Sequence, residues 1–192
     1  KVNFINLSSS TPKKTQESIS LIMKKTTLFI ALLIFSTGFS QQSYSKEAFL
    51  EKWNNSRDYT LAIAELMPTE LYGFKPTERQ LSFKEQLLHI KDNMDWLSAT
   101  YFAANDYKRK PADTEVSKED IIKLLTEAFN ASAALVKKTS TEELEETVDF
   151  FAGPKSKLQI LNLLQDHATH HRGQLIVYLN LKNITPPKYV GW

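Results

Sequence analysis

Apolar residues recur at helical spacing in four long stretches of this 192-residue chain, with polar or turn-forming residues between them. The first runs from Ser45 to Met67, where Phe49, Leu50, Trp53, Ile63 and Leu66 keep the helical period and Pro68 supplies a stop. A polar connector, LYGFKPTERQ, follows with Gly73 and Pro76 as turn residues. Ser82 and Glu85 then form the S-x-x-E signature of a helix start. The helix they open carries Phe83, Leu87, Ile90, Met94, Leu97 and Tyr101 on one stripe. Ser117 with Asp120 opens the third stretch, which holds Ile121, Leu124, Leu125, Ala128, Leu135 and Val136. Thr141 to Glu146 reads as one short acidic helical turn, and Val148 to Ala152 as a small extended piece before Gly153-Pro154. The last helix is predicted from Ser156 to about Asn183, with Leu161, Leu164, Ala168, Leu175 and Leu179 on its apolar face and Pro186-Pro187 barring continuation. Four amphipathic helices joined by short and long connections predict an all-α, antiparallel four-helix bundle over residues 41–192.

The residues before that domain follow a different pattern. Lys24 and Lys25 precede an unbroken apolar run from Leu28 to Phe35, and Gly38 and Ser40 place small residues at −3 and −1 before Gln41. This is the layout of a signal peptide over residues 23–40, cleaved after Ser40. A membrane anchor is the rival reading. Extended to Phe39, the apolar run would rise only about 18 Å as a helix, against about 30 Å of bilayer hydrocarbon. Residues 1–22, rich in Ser, Thr and Lys, read as an over-extended or disordered leader ahead of Met23. The expected location is therefore outside the cytoplasm, periplasmic or extracellular, with no stable membrane anchor after cleavage.

Composition narrows the chemistry. The chain has no cysteine, which removes disulfide frameworks, thiolate nucleophiles, zinc ribbons and iron–sulfur clusters together. Residues 1–40 hold five lysines and one glutamate, so the remaining 152 residues carry 19 basic and 21 acidic side chains, a formal charge of −2. A mildly acidic domain without a basic run is a poor match for nucleic acid, and a small-molecule substrate is the expected partner. No G-x-S-x-G, P-loop or G-x-G-x-x-G motif is present.

Histidine carries the remaining signal. The chain has four: His89, His167, His170 and His171. His167 and His171 stand four residues apart on the last helix, so their side chains stack on one face beside Leu164 and Leu175. Two imidazoles in that register can hold one cation, or can be core histidines satisfied by hydrogen bonds. His89, on the second helix, is the candidate third ligand. It shares a flank with Gln86, Asn93, Trp96 and Thr100, which reads as a cleft lining, as a partly solvated face, or as the wall of another helix contact. His170 points about 100° away from His171 and is assigned to the surface or to the surroundings of the site, with replacement of His167 as a ligand as the alternative. Arg172 is read as a solvated helical arginine, or as a partner for Asp166 or an acidic substrate group.

The segment DHATHHRGQLIVYLNLKNITPPKY, taken with LSFKEQLLHIKDNMDWL, resembles the DinB family, the DinB/YfiT-like metal-dependent hydrolases and thiol transferases. The resemblance extends through YGFKPTERQ and essentially the whole domain, and H-x-x-x-H-R-G-Q is its specific element. It implies a four-helix bundle holding a divalent metal through three histidines, which fall on His89, His167 and His171. It further implies zinc-dependent transfer to low-molecular-weight thiols or a hydrolase reaction, and frequent dimers, hence a homodimer here. A site of three neutral imidazoles leaves the cation its full charge and an open position. It therefore suits either a bound hydroxide or a bound thiolate. Zinc is the first expectation, with nickel, iron, copper or manganese as alternatives. The competing reading is a non-catalytic metal- or small-ligand-binding bundle of the cell envelope.

Overall fold

The computed structural model describes residues 13–103, 105, 107, 108 and 115–191, and in the first helix the side chains of residues 15, 17, 18, 20–27 and 46–66. The helices are α1 (Lys13–Leu66), α2 (Phe83–Tyr101), α3 (Lys118–Lys138), α4 (Thr141–Glu145) and α5 (Lys157–Leu181). A single 3-10 turn (Thr69–Leu71) and two short strands, β1 (Thr147–Val148) and β2 (Lys155–Ser156), complete the described elements. The chain divides into two compact units, Lys1–Tyr44 and Ser45–Trp192.

In the first unit, the Thr26 and Thr27 hydroxyls each donate 2.9 Å bonds to the carbonyls of Ile22 and Met23, one helical turn earlier. The side chains of Leu28–Phe35, on which the signal-peptide expectation rests, lie outside the described residues, as do residues 1–12 of the expected leader. Residues 13–22 belong to α1. Among the described residues, no helix is long and apolar enough to cross a membrane.

The second unit is an all-α bundle. Residues 45–66 of α1 run antiparallel to α3. Lys46 Nζ donates to Thr139 O (3.0 Å), Trp53 Nε1 to Phe129 O (3.1 Å), and Lys118 Nζ to Glu65 O and Met67 O (2.7 and 2.9 Å). Helices α2 and α5 are antiparallel as well, since Tyr178 meets Leu81 beside the start of α2 while His167 meets His89 further along it. Between these pairs lies one core, in which Trp53, Ile63, Phe83, Leu87, Ile90, Leu97, Leu125, Leu164 and Leu175 are fully buried. Each such side chain contributes about 1.5–3 kcal/mol of burial free energy. The predicted stripe of α2 is buried from Phe83 to Leu97, and Tyr101 is half-buried. On α3, Leu124 and Leu135 are only half-buried, and Phe129 and Ser132 take core positions instead. Phe129 packs on the Trp53 ring (4.8 Å between centroids), and Ser132 shares a 2.7 Å hydrogen bond with Ser98 of α2.

Serine starts each helix of the bundle after α1. Ser82, Ser140 and Ser156 form complete reciprocal boxes with Glu85, Glu143 and Gln159. Ser117 accepts from Asp120 N, but its hydroxyl is spent on the Asp120 carboxylate (2.8 Å). Replacing Ser82 by Ala removes a cap worth about 1 kcal/mol, so the melting temperature should fall by roughly 3 °C in a calorimetric scan.

Two boundaries differ from the sequence reading. The extended piece is Thr147–Val148 rather than Val148 to Ala152, and it pairs antiparallel with Lys155–Ser156. Residues 149–154 form the connecting turn, closed by Gly153 N donating to Phe150 O (2.9 Å), with Gly153 at φ 88°. Helix α5 ends at Leu181, before the prolines. Asn183 adopts φ 57°, Ile184 N bonds to Leu179 O (2.9 Å) and Asn183 N to Asn180 O (3.0 Å). That pair of bonds is the Schellman terminator, for which Asn is the common substitute for Gly.

Candidate metal centre

Three of the four histidines converge. His89 comes from α2, His167 and His171 from α5, and one ring nitrogen from each lies within 4.8 Å of the others. The Nε2 atoms of His89 and His167 are 3.2 Å apart. Ligand atoms of a tetrahedral zinc with bonds of 2.0–2.1 Å sit about 3.3 Å from one another, so the His89–His167 pair has the spacing, and the three imidazoles the chemistry, to hold a small divalent cation. The rings pack at centroid distances of 4.9, 4.6 and 4.5 Å, an arrangement that three protonated imidazoles could not tolerate.

Burial is the main force holding two of them neutral. It lowers the His167 pKa to about 4 and the His171 pKa to about 3, with the neighbouring imidazoles adding to the shift. Neutral rings are what metal binding requires. The same shifts set an acid limit on the metal-free protein. In the unfolded chain these histidines take up protons as pH falls through about 6.5, while the folded state resists until far lower. Stability present above pH 6.5 is therefore lost as pH drops towards 4. The urea midpoint of chelator-treated protein should decline between pH 7 and pH 5, above most of the ordinary carboxylate range; an unchanged midpoint would contradict the assignment.

A hydrogen-bonded chain orients His171. The Leu81 carbonyl can only accept, so the Tyr178 hydroxyl proton goes to it (2.7 Å). The Tyr178 oxygen then accepts from Gln86 Nε2 (3.3 Å), which turns Gln86 Oε1 towards His171 Nδ1 at 2.6 Å. That oxygen needs a proton opposite, so Nδ1 carries the hydrogen of His171 and Nε2 keeps its lone pair for a cation. Gln86 Nε2 also donates to Gln174 Oε1, leaving the Gln174 amide nitrogen to donate to His170 Nε2 (2.9 Å). Gln86 is almost completely buried, so the flank it shares with His89 is an interface with α5 rather than a solvated face.

Helical bundles are common, and the position of these three rings within one is far less so. A family profile described as the DinB family matches residues 40–189. The chain belongs to the DinB family. It is 26% identical over 128 residues to the uncharacterized protein YjoA of Bacillus subtilis (strain 168), a match covering 64% of this chain and 81% of that protein. Among solved structures, the DinB-like YjoA of Bacillus subtilis superposes with a TM-score of 0.64 at 22% identity, covering 74% of this chain and 96% of that one. A DinB-like protein from Bacillus cereus ATCC 10987 superposes with a TM-score of 0.65 at 20% identity, covering 75% and 97%. At these identities the structural likeness speaks for the fold.

The other residues singled out in this DinB-family chain take varied places. Asn93 stands one turn from His89 on the same face of α2, and its Oδ1 is a buried acceptor without a donor among the described residues. Trp96, two turns along, lies under the β1–β2 turn, stacked on Phe150 (6.1 Å) and tilted against Phe151 (6.2 Å). His170 is exposed, as expected of a residue outside the ligand set. Arg172 is not a solvated arginine. It is 8% exposed, and among the described residues it forms no ion pair with Asp166 or any other carboxylate. The Tyr178 hydroxyl, where the chain that orients His171 begins, is a functional group that sequence reasoning missed. Its spacing from Gln86 across two helices gave no local signal.

Proposed function

We propose that this protein is an exported, metal-dependent enzyme of the DinB family, of thiol S-transferase or hydrolase type, with zinc at His89, His167 and His171. The observation that carries this reading is the convergence of three imidazoles from two helices on one point. A divalent cation held there lowers the pKa of bound water to about 7 or deprotonates a bound thiol. The protein's own residues supply the rest. Gln86 fixes the tautomer of His171, Asn93 offers an acceptor to a substrate hydroxyl or amide, and Trp96 with the turn aromatics forms an apolar wall two turns from His89. Export is supported by the basic residues, apolar run and small residues of 24–40, and by the family match starting at residue 40, where cleavage is expected. The substrate is a small molecule, and a homodimer belongs to the same reading.

A non-catalytic metal-binding role has one observation in its favour. Among the described residues, the cluster of potential metal ligands is made of histidine alone, with no carboxylate in it. Metal analysis of untagged protein purified without chelator should find one divalent ion per chain. A panel pairing thiols with electrophiles, run beside ester and amide substrates, should then show turnover that chelation abolishes and the metal restores. Metal without turnover on any of them supports the binding role, and absence of metal overturns both.

A further inference from the structure

On another side of α5 lies a cavity of about 450 Å³ between α1, α5 and the segment following α5. Gln165, Thr169 and Arg172 share one helical face there, about 150° around the axis from His167 and His171. The cavity is therefore separate from the histidine cluster. Its deep residues are Ser56, Gln165 and Arg172, all more than nine-tenths buried, and Asp166 and Tyr189 stand exposed at its mouth.

Among the described residues, the buried charge of Arg172 is met only by neutral groups. Nη1 donates to Ser56 O (3.5 Å) and Ser56 Oγ, Nη2 donates to Thr169 Oγ1 (3.3 Å), and the guanidinium lies 5.4 Å from the Tyr59 ring centroid. A guanidinium has five N–H donors, and no bond from Nε is made among the described residues. The Nε side of the group is the edge on which a carboxylate docks in two-point fashion. An anion here would supply the charge partner that the described residues do not.

The opposite pole is also present. Gln165 donates from Nε2 to Thr169 Oγ1 (3.3 Å), while its Oε1 is buried with no partner among the described residues. Asp166 adds a carboxylate to the same lining. Gln165 Nε2 and Arg172 Nη2 each lie 3.3 Å from Thr169 Oγ1, so at most about twice that distance separates them. One compact ligand can touch both ends.

We propose that this cavity is a second binding site, for a small amino-carboxylate of amino-acid to dipeptide size. Its carboxylate pairs with Arg172, and its ammonium donates to Gln165 Oε1 and Asp166. A pocket of this volume is ordinary for such a ligand. Plain anions satisfy only one pole, and the Lys52 ammonium and Asp166 carboxylate in the same lining offset each other in charge.

Calorimetric titration of the full-length protein with glycine, L-alanine and glycylglycine, beside acetate, methylamine and inorganic phosphate, tests this directly. At least one zwitterion should bind ten or more times more tightly than acetate or methylamine. Asp166→Asn, at an exposed position, should remove most of that advantage while leaving acetate no weaker. Arg172→Lys should weaken zwitterion and acetate alike, with circular dichroism confirming the fold. Metal content should stay unchanged in both variants, which separates this site from the histidine cluster. Phosphate or acetate binding as tightly as every zwitterion would overturn the proposal, and so would binding by none of the six compounds.

Discussion

Protein carrying His171→Ala should emerge from purification with less than a tenth of the wild-type divalent metal, measured by elemental analysis on untagged material. His171 is one of three neutral imidazoles, and it approaches both others, with ring centroids 4.6 Å from His89 and 4.5 Å from His167. Its loss leaves two donors on different helices, a set that no longer encloses a cation. The substitution also strips Gln86 Oε1 of its partner, a penalty of about 1–3 kcal/mol for a buried acceptor, so the melting temperature of the metal-free protein should fall as well. The matched control is His170→Ala. That ring is adjacent in sequence and 4.9 Å from His171, but it is exposed and engaged with Gln174, so metal content should remain near wild type. Equal occupancy in the His171→Ala protein would remove the basis of the proposed function.

Gln86→Leu should weaken metal binding about 10- to 100-fold while all three imidazoles remain, the range observed when a group that orients a metal ligand is lost. The amide passes the constraint from the Leu81 carbonyl, through Tyr178, to the Nδ1 proton of His171. Leucine fills similar space without either polar contact, leaving the His171 ring free to change tautomer. Gln86→Glu is the informative partner. A carboxylate still accepts from Nδ1–H, so affinity should recover most of the way to wild type, although the bonds to Tyr178 and Gln174 are broken. Competition with a chromogenic chelator reads both variants. Equal weakening by leucine and glutamate would show that packing, rather than proton placement, is what Gln86 provides.

Much of the bundle was legible because its determinants are local. Ser82, Ser117 and Ser156 announce helix starts through residues three positions away, and the stripe from Phe83 to Leu97 is set by period alone. The spacing of His167 and His171 is equally local. His89 was ambiguous for the opposite reason: its flank becomes an interface only when α5 lies against α2, a relation spanning 78 residues. The solvated reading of Arg172 failed because helical position says nothing about Ser56, 116 residues away, which accepts its hydrogen bonds. The end of α5 was placed near Asn183 through the later prolines, whereas the left-handed backbone at that asparagine already closes the helix. Phe129 and Ser132 show the same limit on α3, since their burial depends on Trp53 and Ser98.

The order of the ligands along the polypeptide has a consequence for which element fills the site. Two of the three belong to α5, so no nascent chain can assemble the cluster before His171 has been added. Selection of the ion thus waits for α5, and a chain threaded unfolded through a membrane would make that choice on the far side. Since the intrinsic affinity of imidazole sites follows a fixed order among first-row metals, with copper ahead of zinc, local supply of each ion would then bear directly on which one occupies the site.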